Sequence, residues 1–78
     1  MSKESIFRIF ADCWPSPIVA RDQVHLFTDG LYKPKHLANL DCLGQGPEGR
    51  IRIGKRKIAY PVESFVRWLE KRAEEVEK

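Results

Sequence analysis

The chain has few of the residues that build disulfide-linked or metal-bound folds. It contains two cysteines, Cys13 and Cys42, and two histidines, His25 and His36. Two cysteines can form at most one disulfide, unlike the cysteine-dense scaffolds of small secreted domains. The cysteines and histidines also lack the spacing of zinc ligands. We therefore expect free, mostly buried thiols, and neither a bound metal nor a cofactor.

Long apolar runs and catalytic constellations are missing as well. No segment approaches the length of a membrane helix, and the apolar stretch near the N-terminus carries charges, unlike a signal peptide. No Ser/His/Asp or Cys/His set stands out, and Asp12, Asp22 and Asp29 fall on different predicted elements. With 78 residues, we expect one small soluble cytoplasmic domain that is not an enzyme and does not bind membranes.

The basic residues are concentrated in one third of the chain. Residues 33–57 hold seven lysines and arginines against two acidic residues, a net charge of +5, whereas residues 1–32 and 58–78 each carry −1. Clustered like charge is unfavourable in an isolated protein, and a polyanionic partner would relieve it. The alternative is a solvated charged surface with no partner.

Two short helices separated by a turn are predicted in the first half of the chain. Residues 20–28 have apolar residues at helical spacing, and the Asp-Gly pair that follows is a turn signal. Pro34 suits the first position of a second helix, in which Leu37 and Leu40 point inward. The glycine-rich residues 44–49 end that helix.

The N-terminal segment has an ambiguous pattern. Residues 5–13 fit a helix, although a strand also fits their first half. The inward face of the helix would carry Ile6, Ile9, Phe10 and Cys13. The prolines after Trp14 end this element, and we expect Trp14 to lie in the core or to cover it.

A β-hairpin with a basic tip is predicted over residues 50–60. Its first strand alternates arginine and isoleucine, with the arginines outward. Gly54 supplies the backbone conformation of a tight turn, and Ile58 and Tyr60 would point inward. The basic residues of the outer face and the tip are Arg50, Arg52, Lys55, Arg56 and Lys57.

The C-terminal segment has the clearest helical pattern. Its apolar residues at helical spacing are Val62, Phe65, Val66, Leu69, Ala73 and Val76. We expect Trp68 to pack over the hairpin base or a neighbouring helix, and residues 73–78 to be a fraying end.

Five short motifs carry a family resemblance. They are Leu37-Ala38-Asn39, Gly44-Gln45-Gly46-Pro47, Gly54-Lys55-Arg56, Tyr60 and Trp68-Leu69-Glu70. Together they resemble the small winged-helix proteins known as phage excisionases and AlpA- or MerR-type regulators. The resemblance covers roughly residues 18–72 and implies an α+β fold, a winged helix-turn-helix, for them. Residues 1–17 would be an N-terminal extension packing on this core. Lys33 departs from the family pattern, which has Ser or Thr as a helix cap there.

The resemblance implies binding of double-stranded DNA. The second helix would enter the major groove, where Asn39 would pair with an adenine edge, and the hairpin would act as a wing on the backbone or minor groove. The expected DNA-binding residues are Lys33, Lys35, His36, Asn39, Arg50, Arg52, Lys55, Arg56 and Lys57. The alternatives are a structural role for Asn39 in bracing the next loop, and ordinary surface lysines at positions 33 and 35.

The resemblance leaves the biological role open between two kinds of DNA-binding protein. One is an architectural factor that helps an integrase excise a prophage, and the other is a small transcriptional regulator. For a short chain with a basic wing, the resemblance favours the first, whereas the residues themselves indicate only DNA binding. We expect a monomer in solution that assembles cooperatively on DNA. The rival from another class is a protein-docking module, for which Phe7, Trp14 and Tyr32 are the candidate exposed apolar residues.

Overall fold

The computed structural model describes residues 3–73, with side chains from residue 6 onward. Within these residues the chain has four α-helices and a three-stranded antiparallel sheet, which confirms the predicted α+β class. In chain order the elements are α1 (Lys3–Cys13), β1 (Ile18–Ala20), a 3₁₀ turn (Arg21–Gln23), α2 (Val24–Phe27), α3 (Pro34–Cys42), β2 (Ile51–Ile53), β3 (Lys57–Pro61) and α4 (Val62–Arg72). This order is compatible with a winged helix-turn-helix.

The sheet contains a strand that the sequence analysis did not predict. Its strand order is β1-β3-β2, so β3 is central. Val19 of β1 lies opposite Tyr60 of β3, and both are fully buried. The helix predicted over residues 20–28 is therefore shorter than expected. Ala20 belongs to β1 because it pairs with Ala59 of β3, a residue that is far away in the sequence.

The hydrophobic core lies between the sheet and the helices. Its buried residues are Val19, Val24, Phe27, Leu37, Tyr60, Phe65, Val66, Trp68 and Leu69. Phe27 is the centre of an aromatic cluster, with edge-to-face contacts to Phe10, Trp14 and Phe65 at centroid distances of 6.1, 5.4 and 5.3 Å. Such contacts add roughly 0.5–1.5 kcal/mol each beyond area burial, which helps a domain of this size to fold.

Helix α1 packs on this core through a face that includes the predicted Phe10 but not the other predicted residues. The residues of α1 that contact the core are Phe7, Phe10 and Ala11, and Trp14, directly after the helix, contacts it as well. Ile6 and Ile9, predicted to point inward, are 43 and 44% exposed. The aromatic rings occupy the inner face because Phe10 and Trp14 both pack against Phe27. At the surface, Arg8 joins α1 to α4 through an ion pair with Glu63 at 2.8 Å.

The two cysteines are free, as predicted, but the prediction that they are buried is wrong. Cys13 and Cys42 are both exposed. Each lies in the last turn of its helix, next to a residue that takes the inward position. Trp14 follows Cys13 and packs against the core, and Asp41, which precedes Cys42, is buried.

The facing of the first hairpin strand is also opposite to the prediction. Residues directly opposite each other in an antiparallel pair share a face, and Arg52 lies opposite Ile58. Arg52 is therefore on the side of Ile58, whereas Ile51 and Ile53 lie on the other side with exposures of 42 and 52%. The cause is the register of the strands. Tyr60 faces the core, Ile58 is two residues away on β3 and faces the same side, and the pairing with Ile58 places Arg52 on that side too.

Helix α4 buries the predicted residues Phe65, Val66 and Leu69. It ends at Arg72, and Ala73 has an extended backbone, so Ala73 does not continue the predicted helical face. Val76 and the rest of residues 74–78 lie outside the described part of the chain. Between residues 3 and 73, none of the helices combines the length and apolar character needed to cross a membrane.

Candidate nucleic-acid interface

Helix α3 begins with an unusual cap. Lys33 has an extended backbone at the N-cap position, and its ammonium group cannot accept a hydrogen bond. The backbone N–H of Lys33 instead donates to Nδ1 of His36 at 3.2 Å. Pro34 occupies the first helical position, where a missing N–H removes no hydrogen bond. His36 therefore supplies one half of a capping box, which offsets the absent Ser or Thr.

The exposed side of α3 carries three of the predicted site residues. Lys35, His36 and Asn39 are all exposed, and their spacing places them as neighbours on one helix surface. Within residues 3–73 the side chain of Asn39 makes no hydrogen bond, and only its backbone carbonyl accepts one, from Leu43. The alternative in which the Asn39 side chain braces the following loop is thus not supported.

The tip of the hairpin lies beside the beginning of α3. Gly54 opens the turn with φ of 71°, and Lys55 and Arg56 follow it at the exposed tip, as predicted. A crevice of about 290 Å³ separates the hairpin from the helices. Its lining consists of Ala20, Arg21, Asp22, Gln23, Pro34, Arg56, Lys57 and Ile58. Arg56 and Lys57 thus share a crevice with Pro34, the first residue of α3.

A buried carboxylate connects α3 to the sheet, and the sequence analysis missed it. Oδ2 of Asp41 accepts hydrogen bonds from the Tyr60 hydroxyl and from Nη2 of Arg21, both at 2.5 Å. Nε of Arg21 also donates to the Tyr60 oxygen at 3.0 Å. Burial, and then the hydrogen bond to Asp41, raise the pKa of Tyr60 to about 12. The partners are 19 and 20 residues away from Asp41 in the sequence, so no local sequence pattern predicts these hydrogen bonds.

The base of the hairpin reaches the same carboxylate. Nη1 of Arg50 lies 3.5 Å from Oδ1 of Asp41. Arg50 is half exposed while Asp41 is only 5% exposed in its side chain. Arg50, predicted to contact DNA, therefore has an intramolecular ion pair as well.

The glycine-rich loop after α3 is shaped around Asp41. A Cβ added to Gly46 would lie 1.9 Å from Oδ1 of Asp41, so no larger residue fits there without rearrangement. The neighbouring carbonyl of Gln45 accepts a hydrogen bond from Nε1 of Trp68 at 2.9 Å. Trp68 thus packs over this loop, which fixes the approach of the chain to the hairpin.

The remaining predicted cations have no carboxylate partner among the described residues. Among the seven predicted basic residues, Arg50 is the only one that forms an ion pair in the described residues. The others are Lys33, Lys35, Arg52, Lys55, Arg56 and Lys57, and all are exposed. Exposed cations without partners can bind phosphate oxygens without first breaking an ion pair. These six cations lie on the surface of α3 and at its start, at the hairpin tip, and on both faces of the hairpin.

A second depression borders α3 on the other side. This apolar groove has a volume of about 520 Å³, and its lining is Phe7, Leu31, Tyr32, His36, Asn39, Leu40, Leu69, Arg72 and Ala73. Two of the three residues predicted for a docking patch, Phe7 and Tyr32, belong to it. Trp14 does not, because it packs on Phe27 and donates through Nε1 to the carbonyl of Ile18 at 2.9 Å.

Comparisons with known proteins found no family model, no curated protein and no solved structure that matches the chain. The resemblance to excisionases and AlpA- or MerR-type regulators therefore remains a prediction from its motifs. Among the described residues, no group of three or more His, Cys, Asp and Glu side chains is arranged to hold a metal ion.

Proposed function

We propose that the chain is a double-stranded DNA-binding protein with a winged helix-turn-helix fold. In this proposal α3 is the helix that enters the major groove, and the hairpin of residues 51–61 is the wing. The protein acts by binding rather than by catalysis, in the cytoplasm where bacterial and phage DNA resides. An architectural role in prophage excision, beside an integrase, is the function that the motif resemblance favours.

The observation that carries this proposal is the position of the hairpin tip. Arg56 and Lys57 share a crevice with Pro34 at the start of α3, and Lys35 and Asn39 are exposed on that helix. A duplex whose major groove receives α3 would present its phosphate backbone to such a tip. The tip would then neutralise phosphates while the helix reads base edges.

The predicted residues divide the work by chemistry. Asn39, whose side chain is free of hydrogen bonds within residues 3–73, has the donor and acceptor pair that matches an adenine edge. Lys55 and Arg56 are flexible, exposed cations suited to phosphate. His36 keeps only Nε2 for a ligand, because Nδ1 accepts the Lys33 N–H.

The decisive experiment is a salt titration of binding to a random-sequence duplex. The test variant is Lys55→Gln with Arg56→Gln, which removes two charges from the tip. The matched control is Arg67→Gln with Lys71→Gln, which removes two exposed charges from α4 and gives the same net charge. If each tip residue neutralises one phosphate, the slope of log K against log salt should fall by about 1.8 for the tip variant.

The control variant should leave this slope nearly unchanged. Equal losses in both variants would mean that only the net charge matters, and the wing assignment would be wrong. Weak, salt-insensitive binding by the unmodified protein would refute DNA binding altogether. Docking to a protein partner would then be favoured, because it tolerates removal of the tip charges.

A second measurement separates excision from other DNA-binding roles. Attachment-site DNA from a candidate prophage is compared with random duplex on fragments carrying one or two sites. The excision proposal expects tighter binding and cooperativity on the two-site fragment by a protein that is monomeric in solution. Independent binding to each site would contradict cooperative assembly.

A further inference from the structure

The carboxylate of Asp41 is a buried charge at the junction of three elements. It comes from the last turn of α3 and is 8% exposed. Arg21 of the 3₁₀ turn and Tyr60 of β3 both donate to its Oδ2. A buried carboxylate is costly unless it is paired and hydrogen-bonded, so these contacts fix α3 against the sheet.

Its other oxygen is less well satisfied. Oδ1 of Asp41 is buried and accepts no hydrogen bond from any described residue. While Arg21 is paired with Oδ2, Arg50 lies beside Oδ1, with its Nη1 at 3.5 Å. This contact is an ion pair without hydrogen-bond geometry. Arg50 is half exposed, so its guanidinium reaches both the buried carboxylate and solvent.

Arg52 provides the natural comparison. It lies two residues further along the same hairpin, it is exposed, and it has no carboxylate partner within residues 3–73. By their place in the sequence, the two arginines are equivalent candidate phosphate ligands. The structure distinguishes them, because Arg50 must share its charge with Asp41 while Arg52 shares its charge with no described carboxylate.

We infer that Asp41 is a positioning residue of the DNA-binding surface that holds Arg50 inward and withholds much of its charge from phosphate. This inference rests on the DNA-binding function proposed above. Asp41 thereby limits sequence-independent binding at the hairpin base and leaves it mainly to Arg52 and the tip. A purely structural role for Asp41 would stabilise the fold and leave the phosphate contacts of Arg50 intact.

The test compares Arg50→Gln with Arg52→Gln in salt titrations on a random-sequence duplex. We expect Arg52→Gln to lower the slope of log K against log salt by about 0.9, the value for one phosphate. Arg50→Gln should lower it by less than about half of that. The side chain of Arg50 is half exposed and that of Arg52 is exposed, so both variants should fold. Equal decreases would overturn the inference.

Asp41→Asn tests the same inference from the other side. The amide keeps the size of the side chain and an acceptor for Tyr60, but it releases Arg50. The slope should rise by up to about 0.9, and in this background Arg50→Gln should then cost the full amount. The control is Glu48→Gln, which removes an exposed acidic residue of the loop and should not change the slope.

An unchanged slope for a folded Asp41→Asn protein would also overturn the inference. If this variant fails to fold, the comparison of the two arginine variants decides the question alone. The unmodified protein is measured first. If it lacks salt-dependent duplex binding, the proposed function fails and this inference fails with it, whereas normal binding with equal arginine effects refutes the inference only.

Discussion

Replacing Gly46 with alanine should destabilise the protein by about 3 kcal/mol, more than Gly44→Ala in the same loop. The new methyl carbon would lie 1.9 Å from Oδ1 of Asp41 and 3.0 Å from its Cγ. To reach ordinary van der Waals contact, the carboxylate or the loop must retreat by about 1–2 Å.

Neither partner in this clash can move freely. The carboxylate is held by Tyr60 and Arg21 at 2.5 Å. On the other side, Gln45 is fixed by its N–H bond to the Leu40 carbonyl at 2.8 Å and by its carbonyl bond from Trp68. A hydrogen bond to a charged group contributes about 1.5–3 kcal/mol. If the displaced carboxylate loses its bond from Tyr60 or Arg21 and the other bond is weakened, the loss in the free energy of unfolding is about 3 kcal/mol.

The matched control is Gly44→Ala. Gly44 has φ of 73°, but nothing lies within 4 Å of an added Cβ. This substitution therefore carries only the cost of a left-handed backbone, about 1–2 kcal/mol. Urea unfolding followed by tryptophan fluorescence measures both variants through the midpoint and the slope m. Equal losses at Gly44 and Gly46 would refute the close-approach argument.

A double-mutant cycle with Asp41→Ala gives a second check. Once the carboxylate is gone, the contact of the added methyl group with the Cα of Asp41 at 3.5 Å is an ordinary one, so Gly46→Ala should cost less than about 1 kcal/mol. Because Asp41→Ala leaves Tyr60 and Arg21 without their acceptor, the cycle is measured in a stabilising osmolyte. Additive losses would show that the two sites do not touch.

Three further predictions concern single side chains. Because the fold raises the pKa of Tyr60 to about 12, its phenol ionises first in the unfolded chain, so stability should fall by up to about 2 kcal/mol as pH rises from 10 towards 12. Tyr60→Phe should abolish this part of the alkaline loss in urea unfolding, and an identical loss in both proteins would contradict it. Trp68→Phe removes the bond to Gln45 and should cost about 1–2 kcal/mol, whereas a loss below about 0.5 would show that the bond contributes nothing. Asn39→Ala should leave the melting temperature unchanged and cost roughly 1–3 kcal/mol only on a duplex selected for tight binding, while equal weakening on all duplexes would assign Asn39 to the phosphates.

The positions of the candidate site residues in the fold could be predicted from the sequence to different degrees. The hairpin tip followed from Gly54 and the residues after it, because a tight turn depends on local backbone conformation. The exposed side of α3 followed from helical spacing around the buried Leu37. Asp41 could not be recognised, since an acidic residue in a polar helix gives no signal until Arg21 and Tyr60 are brought to it.

The capping of α3 shows the same limit on a smaller scale. The sequence showed that Lys33 cannot cap a helix, and this is correct. It did not show that His36 would accept the Lys33 N–H, because that bond depends on the rotamer of His36. The ring was predicted only as a DNA ligand.

The sequence by itself determined the features that depend on neighbours along the chain. These are the helical spacing of α3 and α4, the turns, the glycine-rich loop and the concentration of positive charge in residues 33–57. Periodicity and backbone preference act over a few residues, so they can be read from the printed order.

Only the tertiary structure decided the features that depend on distant partners. β1 exists because Val19 lies opposite Tyr60. Helix α1 turns Phe7, rather than Ile6 and Ile9, toward the core beside the correctly predicted Phe10. The register set by Tyr60 placed Arg52 on the side of Ile58. Burial of Asp41 separated Arg50 from the other cations, because a buried charge must be matched by whichever groups the fold brings to it.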